Sequence, residues 1–210
     1  MKLLIMKIET TSNVKELIST SIKNSISYTE YRQLVEQLVS EESTTGELIS
    51  DDLINYTKLN DRRMRRWDKT VKVSSEHETM IKSFDKPTTW LVITESWCGD
   101  AAHVVPVINK VAELNPNIEL RLVLRDENPE LMEAFLTNGG RSIPKLIMID
   151  KTTNLVSNTF GPRPSVATQM VTDYKTENGS LTPEFKKALQ LWYNQNKGQN
   201  IIEDLASLLN

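Results

Sequence analysis

Apolar residues recur at two spacings along this chain, and the alternation between them predicts the order of its elements. Tyr31, Leu34, Val35 and Leu38 fall on one helical face behind Ser27, with Glu30 three residues on, a capping box. This helix is expected to end near Ser40, where Glu-Glu-Ser-Thr-Thr-Gly predicts a loop. Asp51 or Asp52 can cap a second helix, with Leu53, Tyr56, Leu59 and Asn60 along one side. A third, Ser75 to Phe84, turns Met80, Ile81 and Phe84 inward. Trp90 to Thr94 is then a short run rich in β-branched residues, the pattern of a buried strand. Helical spacing returns from Ala101 to Leu114 through Val104, Val105, Ile108, Val111 and Ala112.

After a turn at Asn115-Pro116-Asn117, Ile118, Leu120, Leu122 and Leu124 alternate with Glu119, Arg121 and Val123, which suits a strand. Asn128-Pro129 is a cap and first-turn proline, opening a helix with Leu131, Met132, Phe135 and Leu136 on its face, stopped by Gly139-Gly140. Lys145 to Asp150 and Leu155 to Phe160 form a hairpin around Lys-Thr-Thr-Asn. A helix with Val166, Met170, Val171 and Tyr174 inward ends at Asn178-Gly179. Thr182-Pro183 opens another, carrying Phe185, Leu189 and Trp192, and a last one spans Ile201 to Leu209. Met1 to Ile8 is either a short strand or a disordered start. From Ser75 the order is α-β-α-β-α-β-β-α, an α/β unit over 75–179, with a helical extension over 1–74 and helices packed on it over 180–210.

Composition adjusts this picture little. The 210 residues are 39% hydrophobic and 25% charged, enough for a good core. The net charge of −3 gives no global pull toward nucleic acid or anionic membrane, and neither is expected as a partner. No run approaches the about 18 apolar residues of a spanning helix. Lys7 and Glu9 interrupt the first apolar stretch, which is read as mature sequence and not a signal peptide. With one cysteine no internal disulfide can form, and a cytoplasmic location is expected. Arg62, Arg63, Arg65, Arg66 and Lys69 beside Trp67 suggest nucleic acid, but Asp61 and Asp68 flank them. A solvated helix face whose stems cover apolar surface is the preferred reading. A docking patch for an acidic partner or an anionic low-molecular-weight thiol is the alternative.

The lone Cys98 sits where the Trp90 strand ends and the Ala101 helix begins, in Trp97-Cys98-Gly99-Asp100. Unpaired first-turn amides and the helix dipole favour a thiolate there; Asp100 opposes it. A partly exposed thiol with a moderately depressed pKa is expected. His103 lies five residues on, off the thiol's face. No metal site is expected from Cys98, Asp100, His103 and His77, and no cofactor.

This strand–W-C-G-x–helix arrangement resembles the thioredoxin-like superfamily. Pro106 matches the proline inside the family's first active-site helix. Ser142-Ile143-Pro144-Lys145 resembles its cis-proline turn, and Gly161 its glycine facing the active site. The resemblance covers about 75–179. It implies a mixed central sheet flanked by helices, with Cys98 as the reactive thiol. It also implies a ligand groove formed by Trp97, Gly99, Asp100, Ile143, Pro144, Gly161 and Arg163. Arg163 stabilises a thiolate, binds an acidic group or is merely solvated. Two departures bear on activity. Ala101 stands where the family has its second cysteine, and Val92 where it has a buried aspartate. Two functions follow. One is single-cysteine thiol–disulfide exchange on a protein or low-molecular-weight thiol or disulfide, with release by an external thiol. The other is a binding module with a redox-sensitive cysteine. Nothing in the residues specifies the oligomeric state.

Overall fold

In a computed structural model the structure describes residues 12–209. The Met1 to Ile8 segment lies outside the described residues. The elements are α1 (Ser12–Lys23), α2 (Tyr28–Ser40), α3 (Asp51–Thr70), α4 (Ser75–Ser83), β1 (Thr88–Thr94), α5 (Ala101–Ala112) and β2 (Ile118–Leu124). They continue with α6 (Pro129–Ala134), β3 (Lys145–Asp150), β4 (Leu155–Phe160), α7 (Ser165–Asn178), α8 (Pro183–Asn196) and α9 (Gln199–Ser207). This is the mixed α/β architecture of the thioredoxin-like fold, with helices before and after it.

The sheet runs β2-β1-β3-β4, with β1 parallel to β2 and antiparallel to β3. A central strand meets side chains on both faces, and every residue of β1 is buried, which is why Trp90 to Ile93 form a continuous apolar run instead of alternating. In register, Val92 faces Leu122 on one side and Leu146 on the other. Helix α5 returns the chain from β1 to β2. All its residues except Asn109 and Lys110 are buried, since it packs on β2 and carries α3 and α9 on its other side.

The helices outside the sheet unit depart most from the sequence reading. α1 was not expected; its only buried residues are Ile18 and Ser21. It is held by contacts with α6 and β2, and by Ser21 Oγ donating to Asn128 Oδ1 at 3.1 Å, more than by its own periodicity. α2 starts on the expected capping box. α3 is capped by Ser50, not by Asp51 or Asp52. Its inward stripe is Thr57, Asn60, Asp61, Met64 and Trp67, and Tyr56 is 51% exposed. Polar residues face inward there because Asn60 donates to the Ser96 carbonyl, the Thr57 hydroxyl bonds that of Ser96, and Asp61 accepts Arg32 from α2. Arg32 donates to Asp61 at 3.1 Å and to Asp68 at 3.2 Å. In α7 the buried residues are Ala167 and Val171, and Val166 is exposed, because the helix presents a narrow stripe to α9.

Candidate functional site

The site grows from the carboxyl end of β1. Ser96 fixes the turn: its Oγ lies 2.9–3.2 Å from the hydroxyls of Thr44, Thr45 and Thr57. Ser96 N donates to Thr45 Oγ1 at 2.8 Å, and Asn60 Nδ2 donates to the Ser96 carbonyl at 2.8 Å. The loop after α2 and the middle of α3 thus clamp the segment before Cys98. Glu95 beside it is fully buried and accepts from the Asp126 amide at 2.9 Å; burial holds its carboxyl above the usual range. Trp97 lies half-buried with the Arg125 guanidinium 4.8 Å over its ring.

Cys98 is 9% exposed and donates its S–H to the Ile143 carbonyl at 3.3 Å. The Ile143–Pro144 peptide is cis. The Pro144 carbonyl lies so close to Gly161 that a Cβ there would overlap it. Cys98, Ile143, Pro144 and Gly161, predicted as site residues from separate stretches, therefore meet.

The expected exposed, acidic thiol is overturned. Burial pushes the Cys98 pKa up to about 12, with Asp100's charge adding to the rise. Hydrogen bonds from the Ala101 and Asp100 amides and the charge of Arg163 pull it down without prevailing. The physical reason is magnitude. A helix terminus typically contributes 0.3–1 kcal/mol, under about one pKa unit, whereas burial shifts a fully enclosed group by up to about 3–5 units.

Asp100 and Arg163 are partners. Arg163 Nη2 lies 2.6 Å from Asp100 Oδ2, and Tyr193 Oη donates to Asp100 Oδ1 at 3.0 Å. Burial raises the Asp100 pKa, with Arg163 opposing. Next to this cluster His103 is buried. Its Nδ1 accepts from Trp67 Nε1 at 2.9 Å, its Nε2 lies 2.7 Å from Gln190 Oε1, and its ring stacks on Tyr193 at 4.4 Å. Burial drives its pKa down to about 3, so the ring is neutral and Nε2–H donates to Gln190. His103 ties α3, α5 and α8 together and does not bond the thiol. Among the described residues no group of three or more His, Cys, Asp and Glu is arranged for a metal ion.

A groove of about 720 Å³ opens beside Trp97, Cys98, Gly99 and Asp100. One wall is α3, with Leu53, Tyr56 and Arg63; the other is α8 and its approach, with Leu181, Lys186, Lys187 and Gln190. Arg163 lines it as well. Arg63 corrects the reading of the basic cluster. Arg62, Arg65 and Arg66 are exposed, as a solvated face requires, but Arg63 is half-buried and turned to the groove. Sequence reasoning named Arg63 only within the basic cluster and missed Gln190 and Tyr193, because no local spacing links α3 and α8 to a thiol just before α5.

No helix among the described residues is long and apolar enough to cross a membrane. No curated protein matches the chain. Among solved structures, it is similar to a protein of unknown function from Pseudomonas aeruginosa, with 18% identity and a TM-score of 0.57, covering 71% of this chain and 83% of that one. It is also similar to an HIV epitope-scaffold, with 18% identity and a TM-score of 0.54, covering 87% and 97%. At such identities these likenesses bear on the fold alone. The sequence pattern named Thioredoxin matches residues 46–175, from the loop before α3 into α7, and with that match spanning more than half of its length the chain belongs to the thioredoxin family.

Proposed function

We propose that this protein is a thioredoxin-fold binding module, which receives a protein or low-molecular-weight thiol or disulfide in the groove beside Cys98 and keeps that thiol protonated at rest. The burial of Cys98, with its S–H given to the Ile143 carbonyl, carries the reading. Burial raises the Cys98 pKa far above neutral, so the thiol is protonated at rest, and the thiolate is the nucleophile. Turnover also lacks a second thiol: Ala101 stands one helical turn on, and the chain has no other cysteine. The test is the iodoacetamide alkylation rate of Cys98 against pH. The rate is expected to keep rising through about pH 10 without a plateau. A midpoint below about 8.5 overturns this reading.

That result would establish a second reading, single-cysteine exchange, which the amides of Asp100 and Ala101 on the sulfur favour. The Cys98 thiolate attacks a disulfide, one partner sulfur leaves as a thiolate and takes up the proton, and an external thiol later releases the mixed disulfide. Under this reading Ala101→Cys shortens the life of the adduct, followed by intact mass. Its restoration is incomplete, because buried Val92 offers no carboxylate to take the new thiol's proton. An unchanged adduct life with a reactive Cys98 would mean that residue 101 does not face the thiol.

A further inference from the structure

The groove carries a charge the rest of the chain does not. The protein's net charge is −3, yet four cations, Arg63, Arg163, Lys186 and Lys187, line this one cavity with a single carboxylate, Asp100. Asp100 is already matched by Arg163 and Tyr193. Among the described residues no carboxylate pairs with Arg63, Lys186 or Lys187. Arg63 is the telling one. It is half-buried, burial lowers its pKa, and Nη1 donates only to the amide oxygen of Asn60 at 3.0 Å. A guanidinium drawn into an apolar wall is stabilised by a counter-charge, and the Asp100 charge reaches Arg63 only at a distance, its two oxygens being taken by Arg163 and Tyr193. The remaining wall is apolar, with Leu53, Tyr56, Trp97, Leu181 and Leu189. A volume of about 720 Å³ lies in the range of small-molecule sites.

We propose that the groove binds a small amphiphilic carboxylate, its acid group held by Arg63, Lys186 and Lys187 and its apolar body laid along Leu53, Tyr56 and Leu181. The planar fork of Arg63, with one N–H already committed to Asn60, keeps donors for a bidentate two-oxygen group such as a carboxylate. The site is this chain's own: α8, which supplies both lysines, lies beyond the residues matched by the thioredoxin pattern. The proposal rests on the groove reading above and names its ligand class.

The probe is 11-(dansylamino)undecanoate, compared with its uncharged methyl ester, on the full chain. The acid is expected to bind one to one, at least about tenfold tighter than the ester, and to slow alkylation of Cys98, which shares the groove. Lys186→Glu combined with Lys187→Glu, at two exposed positions where the fold tolerates change, is expected to weaken the acid at least about tenfold while leaving the ester unchanged. Arg63→Met is expected to act in the same direction. Equal binding of acid and ester, with Cys98 protected by both, overturns the anion proposal and leaves the groove reading standing. Neither probe binding nor protecting Cys98 overturns both. Displacement of the probe by dodecyl phosphate about tenfold better than by dodecanoate overturns the choice of carboxylate.

Discussion

Gly161→Ala is expected to destabilise the protein by roughly 3–4 kcal/mol. Gly161 has φ +103°, where an L side chain is strained. A Cβ there would also overlap the Pro144 carbonyl, which is backbone and cannot rotate away. Relief requires β4 to move off the turn that precedes β3, and that turn presents Ile143 O to Cys98. The effect therefore extends to the site: the thiol loses its acceptor and its alkylation rises together with the loss of stability. Gly179→Ala is the control. It has φ +76° at the end of α7 with nothing within 4 Å, so only the backbone strain of about 1 kcal/mol applies. Denaturant midpoints of the two variants separate steric overlap from conformational strain, and equal losses would show that the approach of Gly161 to Pro144 has no energetic weight.

Acidification is expected to weaken the fold through His103. The ring is neutral and buried in the folded protein, with its pKa lowered from 6.5 to about 3, and it gains a proton freely in the unfolded chain. Between those values the unfolded state binds more protons. The contribution of His103 is complete above about pH 6.5 and is lost as pH falls toward 3, reaching about 2 kcal/mol by about pH 5. Glu95 and Asp100, whose pKa values burial raises, contribute with the opposite sign, gaining stability as they protonate. The measurement is therefore a comparison of wild type with His103→Gln, which keeps both carboxyls. Glutamine can still accept from Trp67 and donate to Gln190 but does not titrate. It is expected to start about 1–2 kcal/mol lower at neutral pH, from the lost ring stacking on Tyr193 and imperfect packing, and then to lose less on going to about pH 5. Parallel curves would mean that His103 is protonated as readily in the fold as outside it.

Much of the fold was legible along the chain because its signals are local. β3 and β4 start and end where the hairpin was read around Lys-Thr-Thr-Asn, and α2 starts at its capping box. α8 starts at Thr182-Pro183, with Thr182 Oγ1 accepting from the Phe185 amide. The strand–helix junction at Cys98 and the Ile143-Pro144 turn were found from motif and order. α1 was not, because Ser and Thr dilute its apolar stripe and its stability comes from α6 and β2. Of the side of α3 read as Leu53, Tyr56, Leu59 and Asn60 only Asn60 is buried, because hydropathy alone cannot foresee a helix burying Asn60 and Asp61 against partners from Ser96 and Arg32.

The division at the site has one physical cause. Hydrophobic periodicity, caps and turn residues act over a few neighbours, so the sequence by itself determined the element order from Ser75 to Asn178, the place of Cys98 just before α5 and the absence of a second thiol. Dielectric environment and charge pairing depend on what comes to lie within a few ångströms from anywhere in the chain. Only the tertiary structure decided that Cys98 is enclosed and bonded to Ile143, that Asp100 is taken by Arg163 and Tyr193, and that Arg63 from α3 faces the lysines of α8 across a groove. A helix terminus seen in the sequence typically favours a thiolate by under about one pKa unit; the burial it cannot show outweighs that at Cys98.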